Sequence, residues 1–419
     1  MSSTLLPLAI NKPKVIYIDL AYTLKIVTDR NLEQEFTSRE CNGYFEHVWG
    51  VHPIADLPEK RKLNYSGFKI SQTNFSESQT IIEGLSCYYG ALKNFFALNF
   101  LVSQIRFISY LIKLVKKEKI DLIISTDPYF PGLIGLIIKL FTKAKLAIWI
   151  VGQYDEMFST NGFIAYPKLF RRKWIEKFFG KIVLKSSDLV IGGNQNCLDF
   201  GLNNGAKINK STIFPVGKLI YKDHLVPKDQ RDLNEIFAHS TAKYHFIYVG
   251  RMLDVKFSED VLLAFEIMYK ANSECALIMA GDGDMKKELE NRSLEMKISD
   301  RVFFLGNVSQ KNLCNILAGC FAGFSPLTGR SLIEVSLASL PIVAYEQDWH
   351  RDFITRRGAG ILVPFRNWQA MAQAALELID KPEETKKLAE ASRLTGLDFC
   401  DTDKLYVHEQ NEFNKLLKK

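Results

Sequence analysis

Across residues 244–363, short apolar runs alternate with polar segments of helical period, and a glycine-bearing turn follows most of the runs. The turns are Val249-Gly250-Arg251-Met252-Leu253-Asp254-Val255-Lys256, Met279-Ala280-Gly281-Asp282-Gly283 and Phe304-Leu305-Gly306-Asn307-Val308, then Thr328-Gly329-Arg330-Ser331-Leu332-Ile333-Glu334 and Leu340-Pro341-Ile342-Val343-Ala344. Strand, turn and helix in repetition predict a parallel sheet wound with helices. Glycines and cations fall where strands end, and open α/β sheets bind ligands at their carboxyl ends. The pattern suits a ligand that carries phosphate.

The first half repeats the alternation less regularly. Residues 14–19 predict a strand, 24–39 a helix, and 47–52 a strand ended by Pro53. No element is predicted over 54–87. Residues 92–117 read as a long helix with lysines at its end, where the helix dipole favours cations. Residues 121–125, 187–191 and 212–214 read as buried strands. The longest apolar run, 132–151, contains Lys139, Lys143 and Lys145, so it fails as a membrane span and reads as a buried helix followed by a strand. Residues 1–10 are too short and lack the basic region of a signal peptide. The expected plan is two α/β, doubly wound, Rossmann-like domains, 1–217 and 244–395. A linker over 218–243 joins them, and a helical tail occupies 396–419.

Length agrees with two domains, since 419 residues exceed one hydrophobic core. Seven scattered cysteines with no Cys-x-x-Cys indicate neither a zinc site nor a disulfide framework. Charge adds an asymmetry. Residues 1–217 carry 27 Lys and Arg against 18 Asp and Glu, an excess of nine, while the rest has a deficit of two. The basic half is expected to meet an anionic surface or substrate. Within it, 168–185 spaces Leu169, Phe170, Trp174, Ile175, Phe178, Phe179, Ile182 and Val183 at helical period, among Arg171, Arg172, Lys173, Lys177, Lys181 and Lys185. Such a helix suits an anionic membrane face. It equally suits a domain helix packed on the sheet with a solvated basic side, and the two readings coexist.

The ordered pieces resemble glycosyltransferase family 4, of the GT-B fold. They are Gly250-Arg251 with Lys256, Ala280-Gly281-Asp282-Gly283, residues 302–306, Gly329 before Glu334, and Pro341-Ile342-Val343-Ala344. The resemblance covers about 120 residues well and the first domain only in outline. It implies two Rossmann-like domains facing across a cleft, with the sugar donor on the second, the acceptor on the first, and a last helix returning to the first. It also implies metal-independent sugar transfer with retention of configuration. Arg251 and Lys256 would then hold the diphosphate, Glu334 the ribose, and the backbone of Gly329, Arg330, Ser331 and Leu332 the phosphates. Gly306 to Val308 would border the base. Ser331 and Glu334 also spell a capping box, so Glu334 has a local alternative role.

The chain departs from the family at three places. Pro326 stands where relatives carry a first glutamate that contacts the sugar. The glycine pair after the first strand is missing. After the middle strand, Gln153-Tyr154-Asp155-Glu156 stands in place of a histidine. Gln153 is the candidate hydrogen-bond donor there, and Asp155 or Glu156 the candidate base. Asp282-Gly283-Asp284 spells Asp-x-Asp, but acids are ordinary at a helix start. His47, His52 and Asp56 lack a metal spacing, and His350 is placed at the cleft border. No metal and no cofactor besides a nucleoside-diphosphate sugar is expected, and no nucleic-acid partner.

The expected function is a glycosyltransferase acting on a glycan or lipid-linked glycan, cytoplasmic or peripheral on the inner membrane face. The rivals are a nucleotide-sugar epimerase on the same plan and an inactive transferase kept as a scaffold. A dinucleotide oxidoreductase is disfavoured, since no Gly-x-Gly-x-x-Gly follows a first strand.

Overall fold

The computed structural model describes residues 12–418, apart from 30, 31, 64, 66, 163, 171, 216, 218, 219, 239 and 348. The leader reading of 1–10 and the contribution of Arg171 therefore lie outside the described residues. The chain forms two compact units. One combines Met1–Pro215 with Asp403–Lys419, and the other is Val216–Thr402.

The first unit holds strands β1 (Lys14–Ile18), β2 (His47–His52), β3 (Ser71–Asn74), β4 (Gln79–Glu83), β5 (Leu122–Ser125), β6 (Lys145–Ile150), β7 (Leu189–Gly192) and β8 (Ser211–Ile213). They form one sheet in the order β3-β4-β2-β1-β5-β6-β7-β8, parallel throughout except for β3 against β4. Its helices are α1 (Leu24–Asp29), α2 (Glu33–Thr37), α3 (Phe96–Glu118), α4 (Phe130–Phe141), α5 (Tyr154–Asn161), α6 (Lys173–Ser186) and α7 (Gln195–Asn203). Successive residues of a strand face opposite sides, and the cores follow that rule. Ile16, Ile18, Ile123 and Ile148 pack with Phe107 and Leu111 of α3 and Ile134 of α4. Val15, Tyr17, Leu122, Ile124 and Ala147 pack with Phe214 and with Phe413 of the terminal helix Thr402–Leu417. Phe413 stands 5.3 Å from Phe45 and 5.4 Å from Phe214, ring to ring, and is fully buried.

Two sequence expectations change here. The single helix over 24–39 is α1, α2 and a short turn Ser38–Glu40. The segment contains two helix starts: the Thr23 hydroxyl accepts from the Ile26 amide, and Glu33 and Glu35 favour a new amino end at α2. The featureless stretch 54–87 contains the β3–β4 hairpin. β4 is buried although three of its residues are polar, because each finds a distant partner. Gln79 donates to Thr37 O (3.1 Å), Thr80 meets His47 (2.9 Å), and Glu83 accepts from the Leu24 amide (2.8 Å).

The second unit is an all-parallel sheet of β9 (Tyr244–Val249), β10 (Cys275–Ala280), β11 (Val302–Gly306), β12 (Ala322–Ser325), β13 (Ile342–Tyr345) and β14 (Gly360–Val363), in the order β11-β10-β9-β12-β13-β14. Helices α8 (Ser258–Ala271), α9 (Lys286–Glu295), α10 (Gln310–Ala318), α11 (Arg330–Leu337), α12 (His350–Thr355), α13 (Trp368–Asp380) and α14 (Pro382–Phe399) complete it. From β9 the chain winds toward β11, then crosses back to β12 on the other side. That reversal opens a crevice between the ends of β9 and β12.

The stretch 218–243, read from the sequence as a linker, belongs to this unit. Ile220 enters its core, and the Arg231 guanidinium donates to the carbonyls of His224 (2.8 Å), Val226 and Cys314 (3.3 Å). A segment held by side-chain bonds to carbonyls, two of them distant (Arg231 to Cys314 O and Arg393 to Leu225 O), shows no hydrophobic period.

Candidate functional site: the crevice between β9 and β12

One wall grows out of β9. Gly250 N donates to Ala280 O (3.0 Å), and the Tyr248 hydroxyl donates to Arg251 O (2.9 Å). The turn after β10 backs this loop: Met252 N donates to Asp282 O (2.9 Å) and Met285 N to Met252 O (3.1 Å). Gly281 has φ +144°, and a Cβ there would stand 2.0 Å from Gly250 O. Only glycine permits that approach. The Gly-Asp-Gly turn is thus a buttress for Arg251. The Asp282 carboxylate accepts from the Gly283 amide (2.8 Å), and among the described residues no cluster of three metal-binding side chains occurs.

A short turn, Asp254–Lys256, then brings Lys256 back beside Arg251. It is fixed by Phe257, which takes a left-handed φ of +53°. That conformation costs a non-glycine residue about 1–2 kcal/mol. Packing offsets it: the Phe257 ring lies 5.3 Å from Phe365 and 6.4 Å from Tyr345, under the Arg366 guanidinium at 5.0 Å.

The other wall is the loop after β12. Gln347 donates to Pro326 O at 2.6 Å. His350 Nδ1 donates to Tyr345 O (2.8 Å), which leaves Nε2 as acceptor for the Ser325 hydroxyl (3.2 Å). Burial pushes the His350 pKa down to about 4, so the ring is neutral in this role. His350 is therefore a buried brace for the β12 loop. Helix α11 follows with Gly329 as its N-cap, and no side chain caps it. The capping-box alternative for Glu334 is thereby removed. A Cβ on Gly329 would meet only Ser331 Oγ, at 3.9 Å.

The two walls enclose a cavity of about 190 Å³ lined by Gly250, Arg251, Lys256, Ser325, Thr328, Gly329, Arg330 and Ser331, among others. Glu334 lies one turn into α11, buried, with its Oε1 2.9 Å from Arg330 Nε. The pair is at ion-pair distance but off line for a hydrogen bond, and Oε1 accepts none. Arg330 thus touches both the cavity and Glu334.

The remaining candidates fall elsewhere. Leu332 is fully buried and its amide donates to Gly329 O (3.2 Å), so neither its side chain nor its N–H is available to a ligand. Gly306 and Val308 lie at the end of β11, where Gly306 O accepts from Gly281 N (2.8 Å). They flank the buttress and do not line the cavity.

Two residues of the supposed linker reach the site without any signal in the sequence. Tyr221 lies under Arg330 at 5.7 Å, and buried His224 bonds Gln310 at 2.8 Å. Burial lowers the His224 pKa against the pull of the Glu334 carboxylate.

In the first unit, Gln153 Oε1 accepts the amides of Asp155 (3.1 Å) and Glu156 (3.2 Å) and so caps α5. The Asp155 carboxylate binds Asn204 (3.1 Å) and Lys177 (3.0 Å). Both residues are engaged in holding the α5 start, and Tyr154 is buried between Tyr129 and Phe200. Sequence reading passed over Asp127, beyond the end of β5, which burial raises to about 7. Its signal was an acid directly after an apolar strand.

Known proteins agree with this architecture. Residues 229–395 match the family model described as glycosyl transferases group 1. Sucrose-phosphate synthase from Thermosynechococcus elongatus superposes with a TM-score of 0.70 at 14% identity, over 97% of this chain and 99% of that one. Anabaena Alr3699/HepE, solved with UDP and glucose, gives 0.67 at 14% identity over 96% and 100%. The fold is that of the GT-B glycosyltransferases.

Among curated proteins, alpha-monoglucosyldiacylglycerol synthase of Streptococcus pneumoniae is 24% identical over 280 residues, 65% of this chain and 62% of that protein. Alpha-D-kanosaminyltransferase of Streptomyces kanamyceticus is 26% identical over 148 residues, 34% of this chain and 38% of that protein. The match thus spans about three fifths of the first relative's length and less of the second's.

Proposed function

We propose that this protein is a glycosyltransferase that moves a sugar from a nucleoside diphosphate to a hydroxyl of a glycan or lipid-linked glycan, with retention and without metal. The observation that carries the reading is the single cavity at the β9–β12 reversal, which gathers Arg251, Lys256 and the uncapped start of α11. As the anomeric C–O bond breaks, its electron pair passes to the diphosphate. Two cations and a helix amino end stabilise that charge. Arginine supplies a planar fork and lysine a point charge. The acceptor oxygen bonds the anomeric carbon and gives up its proton.

The Glu334 carboxylate, paired with Arg330 behind the cavity wall, takes the ribose hydroxyls, and the base lies toward Gly306 and Val308. Uridine is the first base to test, since structural relatives were solved with UDP and UDP-glucose. The acceptor belongs to the first unit, near the α5 start, where Gln153 and Asp155 act as positioning residues. The expected location is the cytoplasm, free or peripheral on the inner face of a membrane.

The test is calorimetric titration with a panel of nucleoside diphosphates and their sugars, repeated for Arg251→Ala and in the presence of a chelator. One nucleotide should bind. The variant should lose roughly 10- to 100-fold in affinity, the worth of a charge-assisted hydrogen bond of about 1.5–3 kcal/mol. The chelator should change nothing. Unaltered binding by Arg251→Ala would refute the assignment.

A further inference from the structure

The first unit leaves apolar side chains in solvent on three neighbouring helices. On α6, Trp174, Phe178 and Ile182 recur every fourth residue and are exposed, Trp174 by 66%. Beside them runs a second exposed row at the same spacing, Lys177, Lys181 and Lys185. The sequence offered two readings of this helix. Its buried side (Glu176, Gly180, Val183, Leu184) packs inward, and much of its apolar residue set still faces out.

α4 lies against α6: a Cβ on Gly132 would stand 3.0 Å from Val183 Cγ1. It exposes Ile137, Leu140 and Phe141. α3 lies against α4 through Phe100 and Phe130, ring centroids 5.9 Å apart, and it exposes Phe96, Leu98, Leu101 and Ile105. Among the described residues α3 is the one helix long and apolar enough to cross a membrane, yet Phe107, Leu111 and Val115 anchor it in the core. It lies on the sheet.

Charge identifies what these rows meet. The exposed charges of the three helices are Arg106, Lys113, Lys116, Lys117, Lys177, Lys181 and Lys185. Their carboxylates are only two. Glu176 is buried on Lys173 (2.6 Å) and the Ala165 amide (3.1 Å), and Glu118 is half-buried and paired with Lys117 (3.2 Å). From the neighbouring α5, Asp155 pairs with Lys177 (3.0 Å). A second copy of the chain on this face would set lysine row against lysine row.

From this geometry we infer that α3, α4 and α6 form a docking face for an anionic lipid bilayer. Trp174, Phe178 and their neighbours enter the headgroup boundary, and the lysine rows meet lipid phosphates. This inference stands apart from the transferase reading, because it concerns the first unit alone.

Vesicle co-sedimentation tests it, with phosphatidylcholine alone and with added phosphatidylglycerol. The protein should bind only the anionic vesicles. Trp174 emission should shift to the blue, since the other four tryptophans are buried or half-buried. Lys181→Gln with Lys185→Gln should weaken binding about fivefold per lysine. Trp174→Ser with Phe178→Ser, and separately Leu101→Ser with Ile105→Ser, should each reduce it. Far-UV circular dichroism and thermal melts serve as the folding control and should not change in any variant. Equal binding to neutral vesicles, or variants that bind as well as the parent, would overturn the proposal. So would a dimer, in the absence of lipid, that the same substitutions dissociate.

Discussion

Replacing Gly281 by alanine tests whether the turn after β10 is the support of the loop that carries Arg251. Two costs arise, and they separate. The first is conformational: φ of +144° suits glycine alone, and strain of this kind costs on the order of 1–3 kcal/mol. The second is steric. The new Cβ would stand 2.0 Å from Gly250 O, whereas real Cβ atoms essentially never approach an atom within 3.0 Å. The Gly250 carbonyl must therefore move by on the order of 1 Å, and Arg251 moves with it. A displacement of that size at a positioning group costs on the order of a hundredfold in turnover.

Gly358→Ala supplies the comparison. Its φ is +75° and an added Cβ would meet nothing within 4 Å, so it carries conformational cost alone. Thermal melts and nucleotide titrations of both variants decide the matter. Gly358→Ala should lose roughly 1–2 kcal/mol of stability and no affinity. Gly281→Ala should lose more stability, and at least tenfold in affinity for a nucleoside diphosphate, if one charge-assisted hydrogen bond of about 1.5–3 kcal/mol is broken. If Gly281→Ala binds nucleotide as the parent does, the loop is not held by this turn and the reasoning fails.

Two further outcomes follow from the same site. Glu334→Gln should weaken a nucleoside diphosphate by roughly tenfold and leave inorganic pyrophosphate unaffected, because only the former carries a ribose; equal losses for both in parallel titrations would remove Glu334 from the ribose. His350 should make stability fall with acid. Its folded pKa of about 4 lies below the ordinary 6.5, so the unfolded chain takes the proton first. Stability from this group is full above about 6.5. It drains as pH falls toward 4, by up to roughly 3 kcal/mol, and then levels. Buried His52 and His224, also lowered by burial, add slopes of the same sign. Denaturant melts across that window should therefore show a shallower slope for His350→Gln than for the parent.

The second unit was largely legible in the sequence because its strands are buried on both faces. A run such as Cys275–Ala280 is apolar at every position, and glycines mark its end. The same sheet hid what depends on distant partners. Leu332 sat in a motif whose spacing cannot say which residues of α11 face inward. The role of Glu334 stayed ambiguous until Gly329 proved to be the N-cap. Tyr221 and His224 came to the site from a stretch without period, held by the local bonds of Arg231 to His224 O and by two distant ones, Arg231 to Cys314 O and Arg393 to Leu225 O. In the first unit β4 was invisible, since Gln79, Thr80 and Glu83 read as surface and are satisfied inside by groups 33 to 59 residues away. Gln153 and Asp155 were rightly placed after a strand, but their side chains serve the start of their own helix.

The terminal helix has a consequence for how the polypeptide matures. Its Phe413 fills a core otherwise built from the first 214 residues, and Tyr44 and Cys41 bind Asn414 (2.8 Å) and Gln410 (2.9 Å). A ribosome therefore releases every residue of the second unit before its predecessor can close. Until helix Thr402–Leu417 emerges, the earlier-made unit waits with one face of its sheet incomplete, and removing that helix would injure the portion synthesised first.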